Sequence, residues 1–300
     1  MRLSREASAV LGQTSIGMLA LRAGRSGAHA APLVNPAVFS FAAGSLWMTT
    51  SRYAAKTIIA KRDPRAAFLV DGDSGALLMR GALEVFDPLS LSSQVRALLD
   101  GPGFFLGMAG YALRNSPFVA GYVLDLASLP REWMPYNRVV LRLRLSHAEI
   151  VESAPFPAAQ AARVPSVPAE VSRRLAGVSR GYACWIEGTL PVISPAYWEA
   201  ERGVLSVAPA ANRQPRPRAP GALVVESHHR FRPSLMVGAC IRGTFSTGAG
   251  PGAIAERYGI DEADVPPVVQ LRPEKVTSWR GFAVTTTVPR AARQLRVAQA

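Results

Sequence analysis

The chain has few of the residues that build covalent frameworks and metal centres. Its 300 residues include two cysteines, Cys184 and Cys240, and four histidines. Both cysteines lie in apolar, strand-like surroundings, which excludes a disulfide framework or a cysteine-based metal site as the organising feature. Unpaired cysteines of this kind are typical of a reducing compartment, so we expect a cytoplasmic protein.

Long hydrophobic runs are also scarce. The stretch from Phe104 to Leu124 comes closest to membrane-spanning length, but Arg114, Asn115 and Pro117 lie in its middle. Because a central arginine is costly in a bilayer, this stretch predicts two buried helices that break at Asn115 to Pro117. The first residues lack an apolar core and a cleavage box, and they predict a short helix rather than a signal peptide. We expect no membrane partner.

Lysine is rare although the chain is strongly basic. The 34 lysines and arginines exceed the 21 acidic residues by 13, and the lysines are Lys56, Lys61 and Lys275. A positive excess favours anionic partners, such as phosphorylated ligands, nucleic acid or acidic membranes. Aromatic residues make up 8% of the chain and are not interleaved with the basic ones, so we expect no nucleic-acid partner.

The sequence contains an internal repeat. The segment PLVNPAVFSFAAGSL (Pro32 to Leu46) aligns without a gap on PVISPAYWEAERGVL (Pro191 to Leu205), 159 residues later, with five identities. Three further pairs follow in the same order: AAFLVD with GALVVE, LLMRGA with ACIRGT, and NRVVLRLRL with PPVVQLRPEKV. Four landmarks in one order indicate two copies of one unit.

Short β-type runs separated by turn residues occupy both copies. Copy A contains IGMLALRAG, AHAAPLV, SLWMTTS, AAFLVDG, ALLMRGALEVF and RVVLRLRL, and copy B contains GYACWIEG, LPVI, GVLSVA, GALVVES, SLMVGACIRGTF and VVQLRPEKVTSW. Six strands and one short helix per copy (DPLSLSSQVRALLDG and GPGAIAERYG) predict a mainly β fold with minor α content. Two Greek-key barrels fit this count, because closure removes exposed strand edges. We place the first barrel at 1–152, an Ala/Pro-rich linker at 153–177 and the second barrel at 178–300.

Hydroxyls and cations gather after the third run of copy A. The segment TTSRYAAK (Thr49 to Lys56) holds two threonines, a serine, an arginine and a lysine. By itself it fits a capped helix start with a solvated basic face. It also supplies what a phosphate needs, since a phosphate carries about −1.5 to −2 charges and several acceptor oxygens. A helix start predicted near Ser51 would add backbone N–H groups to the hydroxyls and the cations.

Copy A resembles the pyridoxamine 5′-phosphate oxidase-like split-barrel family in the order and spacing of its pieces. These pieces are the strand RSGAHAAPLV, the run from Thr50 to Lys56, the turn from Asp63 to Arg65, the strand AAFLVD and a strand that ends in Arg80-Gly81. The resemblance covers roughly residues 4 to 90 and weakens after that. It implies a bound flavin, usually FMN and in some branches a deazaflavin, held between the two barrels of a homodimer.

The resemblance implies that the threonine and the lysine of this segment hold the flavin phosphate, with Thr50 and Lys56 first. The cofactor-binding candidates are Thr49, Thr50, Ser51, Arg52, Lys56, Pro32, Leu33 and Arg80. Relatives often carry a further serine and arginine just before the lysine, whereas Ala54 and Ala55 stand there in this chain.

Copy B lacks this segment. Ala208 and Pro209 take the positions of the two threonines, and no lysine follows them. A tandem repeat can form the family's pair of barrels within one chain. We therefore predict an intramolecular pseudo-dimer with one retained flavin site, as a monomer or as a homodimer. Weaker candidates from copy B are Arg232, Ser234, Trp279 and Arg280, and the pocket is predicted to be lined by Met18, Leu33, Trp47 and the Phe104 to Leu124 insertion.

The expected function is flavin-dependent oxidoreduction of a small organic substrate. The flavin would carry the chemistry, while the protein orients it and excludes water. No acid, base or set of metal ligands stands out in the sequence. A deazaflavin-dependent reductase and a non-enzymatic binder of flavin or haem stay open as alternatives, and a nucleic-acid-binding protein built on a degenerate barrel ranks below them.

Overall fold

The computed structural model describes residues 3–24, 31–73, 75–151, 156–201, 203–210, 213–229, 231–248 and 250–289 of the chain. Within these ranges two antiparallel β-barrels follow one another along the sequence, and helices pack around them. The prediction of a mainly β fold is therefore confirmed. Residues 28–30 of the predicted strand AHAAPLV and residues 153–155 of the predicted linker lie outside the described ranges.

The first barrel closes on itself. Its strands are β1 (Ile16–Ala23), β2 (Ala31–Ala42), β3 (Ser45–Ser51), β4 (Arg65–Gly72), β5 (Gly75–Phe86) and β6 (Arg138–Val151). The order around the barrel is β1-β2-β3-β6-β5-β4, and pairing of β4 with β1 completes the circle. Inside, the rings of Phe39 and Phe68 meet edge to face with centroids 5.1 Å apart, within a cluster of buried aliphatic side chains.

The second barrel repeats this arrangement. Its strands are β7 (Gly181–Glu187), β8 (Leu190–Glu201), β9 (Val204–Pro209), β10 (Pro220–Ser227), β11 (Val237–Ser246), β12 (Val269–Arg280) and β13 (Ala283–Thr287). The first six follow the order β7-β8-β9-β12-β11-β10, which matches the first barrel strand for strand, and pairing of β11 with β10 and β12 closes it. Six strands were predicted here. The seventh, β13, extends the sheet beside β12. Four of its five residues are exposed, and its sequence does not alternate between apolar and polar residues.

The second hairpin of each barrel has the same register. In the β2–β3 hairpin Ala42 faces Ser45, and in the β8–β9 hairpin Glu201 faces Val204, 159 residues later in both strands. A one-residue slip would turn every side chain to the opposite face of the sheet, so a shared register means shared inward and outward faces. The two barrels therefore fit the tandem duplication predicted from the sequence.

A bulge also recurs at the same place in both barrels. The pairing of β5 with β6 shifts directly before Gly81, and the pairing of β11 with β12 shifts directly before Gly243. A Cβ atom on Gly81 would lie 1.9 Å from the carbonyl oxygen of Arg144, and one on Gly243 would lie 1.8 Å from that of Arg272. Each bulge therefore depends on a glycine that lets two backbones approach closely.

The two barrels pack against each other through one hydrophobic cluster. Met18 and Leu69 of the first barrel share it with Leu223 and many other buried side chains of the second. Across the same contact, the guanidinium of Arg180 pairs with the buried carboxylate of Asp71 at 3.0 Å. The chain thus forms a pseudo-dimer of barrels with a continuous core.

Seven α-helices are present in the described ranges. They are α1 (Arg5–Gln13), α2 (Ala55–Arg62), α3 (Leu91–Asp100), α4 (Pro102–Arg114), α5 (Ser116–Leu124), α6 (Ala169–Leu175) and α7 (Gly252–Tyr258). The predicted break in the apolar stretch is confirmed, because α4 and α5 meet at Asn115, whose side-chain amide donates to the carbonyls of Phe39 and Tyr111. The prediction that both helices are buried is wrong, since Leu106, Leu113 and Leu124 are exposed. The helix predicted to begin near Ser51 begins instead at Ala55. None of the helices in the described ranges is both long and apolar enough to span a bilayer.

Replacing Gly243 by alanine is expected to destabilise the second barrel. The new methyl group would overlap the Arg272 carbonyl, so the β11–β12 bulge must open, and we expect the free energy of unfolding to fall by about 1–3 kcal/mol. Denaturant titration of the purified variant measures this. The matched control is Gly177→Ala, because a Cβ atom there meets nothing within 4 Å. Equal stability of the two variants would contradict the assignment of the bulge glycine.

Candidate functional site

A cavity of about 470 Å³ lies where the two barrels meet. It is lined from the first barrel and its helices by Leu33, Asn35, Pro36, Ala37, Val38, Thr49, Thr50, Ala54, Ala55, Lys56, Ile59, Tyr111, Phe118, Tyr122, Trp133 and Arg138. It is lined from the second barrel by Pro233, Met236, Arg242, Lys275, Thr277, Trp279, Gly281, Phe282, Val284 and Thr286. Its volume falls within the usual range of about 300–1,000 Å³ for small-molecule sites.

Two threonines near the end of β3, Thr49 and Thr50, line this cavity. The Thr49 hydroxyl accepts a hydrogen bond from the guanidinium of Arg138 at 2.6 Å and lies 3.1 Å from the hydroxyl of Tyr111. The Thr50 hydroxyl is buried and has no hydrogen-bond partner. An unpartnered buried hydroxyl is costly, so a ligand that bonds to it gains free energy at this point.

Lys56 lies in the first turn of α2, beside these hydroxyls. Its ammonium group is 3.4 Å from the carbonyl oxygen of Pro36. Burial and, second, the positive charge of Arg138 lower the pKa of Lys56 from 10.5 to about 8. Ala54 and Ala55 also line the cavity, which brings the start of the helix, where backbone N–H groups lack internal partners, to the same corner.

Positive charge in the cavity is not balanced by carboxylates. Lys56, Arg138, Arg242 and Lys275 all line it, whereas no aspartate or glutamate among the described residues does. None of these four cations forms an ion pair within the described part of the chain. The Nε atom of Arg242 is also buried without a hydrogen-bond partner. Such a lining attracts an anion, because none of the described carboxylates neutralises the charge of these side chains.

The remaining walls are apolar and aromatic. Phe118 and Tyr122 of α5 line one side, and the rings of Trp133 and Phe282 meet with centroids 5.4 Å apart, one from each half of the chain. The guanidinium of Arg138 lies 5.1 Å from the centre of the Tyr122 ring. Burial raises the pKa of Tyr122, so its phenol is neutral at physiological pH. A flat aromatic ligand with a negative group at one end suits these walls.

The structure brings part of the predicted site together. The predicted residues that line the cavity are Leu33, Thr49, Thr50, Lys56 and, from the second barrel, Trp279. The predicted apolar insertion contributes Tyr111, Phe118 and Tyr122. Thr49, Thr50 and Lys56 thus share the corner built by β3 and α2, and their role in holding a cofactor stays a prediction.

Four predicted residues lie outside the cavity. Ser51 donates to the carbonyl of Glu132 at 2.5 Å, because the helix begins four residues later than predicted. Arg52 turns away and pairs with Asp87 at 2.7 Å. The remaining two are Pro32, which is buried where β2 pairs with β1, and Arg80, whose guanidinium pairs with Glu149 at 3.0 Å.

Of the weaker candidates from copy B, Trp279 lines the cavity and the other three do not. Arg232 and Ser234 do reach across to the first half of the chain, but both bind the buried carboxylate of Asp125 rather than the cavity. Burial acts to raise the pKa of Asp125, but the hydrogen bonds from Arg232 and Ser234 outweigh it and lower that pKa. Arg280 pairs with Glu170 at 2.6 Å.

Two side chains predicted to line the pocket are packed elsewhere. Met18 belongs to the cluster between the barrels. Trp47 is buried with Phe104 against α4, where a Cβ atom on Gly107 would lie 2.1 Å from its ring. Both are core residues because β1 and β3 present these positions to neighbouring elements and not to the crevice.

The equivalent crevice beside the second barrel is filled by the chain itself. Val38 lines the cavity, and Tyr197 stands at the equivalent position 159 residues later. Tyr197 is buried against Phe156 and Tyr258, with ring centroids 4.6 and 4.9 Å apart. Ala208, which faces Tyr197 across the β8–β9 hairpin, belongs to the same buried cluster. Among the described residues, these side chains therefore occupy the place that the cavity takes beside Val38.

Several residues that line the cavity were not predicted from the sequence, among them Arg138, Arg242, Lys275 and Phe282. Arg138 is far from the predicted segment in sequence, and pairing of β6 with β3 brings it there. Arg242 could have been found from the repeat. Across the cavity, β2 and β3 of the first barrel face β11 and β12 of the second, so the copy B equivalent of Arg80 lies on its wall.

Comparisons with known proteins return solved structures that match about half of the chain. A pyridoxamine 5′-phosphate oxidase-related, FMN-binding protein from Nostoc punctiforme is 16% identical over 51% of this chain and 87% of its own, with a TM-score of 0.35. A FAD-binding protein from Mesorhizobium loti is 16% identical over 49% and 92%, with a TM-score of 0.32. A haem storage protein from Vibrio cholerae is 15% identical over 50% and 95%, with a TM-score of 0.34.

The chain resembles the pyridoxamine 5′-phosphate oxidase-like split barrels. This agrees with the resemblance predicted from the sequence. No protein-family model and no curated protein matches the chain. At such identities and TM-scores the likeness carries no inference about the cofactor, which has to be argued from the residues of the cavity.

The pKa of Lys56 can be measured directly because the chain has three lysines. After reductive ¹³C-methylation, the resonance that disappears in Lys56→Arg is expected to titrate at about 8 in the ligand-free protein, since burial and Arg138 disfavour its charged form. In Arg138→Met the pKa of Lys56 should rise, because the neighbouring positive charge is gone. A titration of Lys56 above pH 10 in the unaltered protein would contradict the described burial.

Proposed function

We propose that the cavity binds a phosphate-bearing flavin, FMN, and that the protein is a flavin-dependent oxidoreductase acting on a small organic substrate. The observation that carries this proposal is the cavity between the two barrels, whose lining combines uncompensated cations with aromatic walls. The Thr50 hydroxyl without a partner lies at the cationic corner.

The cationic corner suits the phosphate group. Lys56 and Arg138 supply two positive charges, Thr50 supplies a free hydroxyl, and the start of α2 supplies backbone N–H groups. A phosphate at pH 7 carries close to two negative charges and several acceptor oxygens, and it therefore satisfies all of these donors at once. The mutual repulsion of Lys56 and Arg138, which contributes to the low pKa of Lys56, would be relieved.

The aromatic walls suit the ring system. Phe118, Tyr122, Trp133, Trp279 and Phe282 offer apolar faces from both halves of the chain. A planar heterocycle buried among them is shielded from water and held in one orientation.

A bound flavin would supply hydride transfer, and the protein's part would be to orient it and to exclude water. The phenols that line the cavity stay protonated: burial raises the pKa of Tyr111, although its hydrogen bond to Thr49 and the charge of Arg138 act in the opposite direction. The Tyr122 phenol already donates to the carbonyl of Trp133, and the Tyr111 phenol is hydrogen-bonded to Thr49, so both stay neutral and in place. A cytoplasmic location is part of the proposal, and it rests on the unpaired, buried Cys184 and Cys240.

The other cofactors fit less closely. None of the described histidines lines the cavity, so within the described residues no imidazole is placed to ligate a haem iron there. A deazaflavin with a phosphate would use the same cationic corner, so this corner does not separate it from FMN. A non-enzymatic flavin binder shares the site as well, and only an assay with reductants distinguishes it from an oxidoreductase.

The phosphate assignment predicts that variants discriminate FMN from riboflavin, which lacks the phosphate. Lys56→Met should weaken FMN binding about tenfold to a hundredfold, because a charge-assisted hydrogen bond is lost. Thr50→Val should also weaken it, by less. Riboflavin affinity should stay the same in both variants. Quenching of flavin fluorescence measures the six dissociation constants, those of both flavins for the unaltered protein and for each variant.

Lys61→Met is the matched control. Lys61 lies on the same helix but is half exposed and pairs with Asp87 outside the cavity, so its removal should change FMN affinity by no more than about twofold. If Lys56→Met lowered the affinities for FMN and riboflavin equally, the phosphate would not lie at this corner.

FMN affinity is expected to fall as the pH rises through 8. Below pH 8 Lys56 is charged before and after binding, whereas above it the neutral amine must take up a proton, which costs up to about tenfold in affinity per pH unit. The phosphate is fully ionised over this range, so it adds no dependence. Calorimetry in buffers of different ionisation enthalpy measures the proton uptake. Lys56→Met should abolish this dependence, and an unchanged slope in that variant would contradict the assignment.

A further inference from the structure

Arg242 on β11 is the counterpart of Arg80 on β5. Each precedes a glycine at which the pairing with the next strand shifts, and each faces the same position of that strand: Arg80 faces His147, and Arg242 faces Lys275. Equivalent registers in a duplicated barrel mean that the two arginines leave the sheet at the same place. Any difference between their surroundings therefore arose after the duplication.

The difference lies in one carboxylate. In the first barrel Glu149, which faces Leu78, pairs with Arg80 at 3.0 Å. The equivalent position of the second barrel, which faces Cys240, is occupied by Thr277. The second barrel thus keeps the arginine and has no acid to neutralise it, and it carries Lys275 where the first has a histidine.

Arg242 therefore has no ion pair within the described residues. The Nε atoms of both arginines are buried without an acceptor. The charge of Arg80 is neutralised by Glu149, which its Nη2 atom contacts, whereas the charge of Arg242 has no such partner in the described part of the chain. The neighbours that share its side of the cavity are the ammonium of Lys275 and the hydroxyl of Thr277, which lies 3.2 Å from that of Thr286. A half-buried guanidinium beside a second cation is stabilised when a ligand brings negative charge.

We propose that Arg242 and Lys275 form a second anion-binding position, on the second barrel's wall of the cavity, and that it holds a carboxylate or phosphate group. The proposal rests on the proposed function in one respect: the cofactor phosphate occupies the corner of Lys56 and Arg138 on the first barrel's wall. The substrate of the bound flavin is then an anion, with its charged group on β11 and β12. A long acidic tail on the cofactor would be the other source of such a group.

Inorganic phosphate is the probe for this position. In FMN-saturated protein the first corner is occupied, and added phosphate should still raise the melting temperature above that in sodium chloride of equal ionic strength. Arg242→Met should weaken phosphate binding about tenfold, because charge-assisted hydrogen bonds are lost. Thr277→Glu should do the same while preserving the fold, since it restores the pair that Glu149 makes in the first barrel. Arg80→Met, the equivalent change outside the cavity, is the control and should leave phosphate binding unchanged.

The two sources of the anion are separated by the affinity for a deazaflavin with an acidic tail. If Arg242→Met and Thr277→Glu abolish the phosphate response and leave the dissociation constants of FMN and of that deazaflavin unchanged, the position serves a second molecule, the substrate. If they also weaken a deazaflavin with an acidic tail at least tenfold while FMN is unaffected, it serves the cofactor tail. Both results support an anion position at Arg242.

The proposal is overturned if FMN-saturated protein shows no phosphate response, or if the response persists in both variants. Failure of the proposed function gives a different result, namely no FMN binding by the unaltered protein. Phosphate binding to flavin-free protein, compared between Arg242→Met and Arg80→Met, then decides the proposal by itself. Should Thr277→Glu fail to fold, Arg242→Met gives the same decision.

Discussion

Positive charge that the protein leaves unpaired is the feature on which the account of this site depends. Elsewhere several described arginines are matched by acids: Arg80 by Glu149, Arg142 by Glu84, and Arg232 by Asp125. In the cavity between the barrels, none of the described aspartates or glutamates lines the wall to do this. The low pKa of Lys56 shows the consequence, since burial and the neighbouring Arg138 act against its charged form. A chain that leaves such a cluster without acidic partners is stabilised by an anionic ligand.

Duplication within one chain explains how the two crevices came to differ. In a homodimer of single barrels, symmetry makes both crevices identical. Here the two barrels share a core but not a sequence, so each crevice changed independently. The cavity beside the first barrel has Thr49, Thr50 and Lys56, and none of the described acids pairs with Arg242 on its opposite wall. The equivalent place beside the second barrel is filled by Tyr197, Phe156 and Tyr258, and Arg80 pairs with Glu149.

The sequence predicted most of the barrel framework because the framework is encoded locally and twice. The aligned glycines Gly44 and Gly203 both adopt positive φ, 71° and 84°, in the second hairpin turn of each copy, which is a conformation that favours glycine. β13 was missed because its short, exposed sequence has no apolar pattern. The corner of Thr50 and Lys56 was found because one continuous segment forms it. Arg138 and Arg242 were not found, because pairing between distant strands and between two barrels brings them there. Arg80 was predicted and Arg242 was not, because the resemblance covers copy A, whereas the cavity is lined from both copies.

The most direct test of the central claim is an experimental structure of the chain with FMN. The account predicts one FMN per chain in the cavity between the barrels, with its phosphate oxygens within hydrogen-bonding distance of the Thr50 hydroxyl and the Lys56 ammonium. An FMN bound at the Tyr197 crevice, or a phosphate that contacts neither Thr50 nor Lys56, would contradict it.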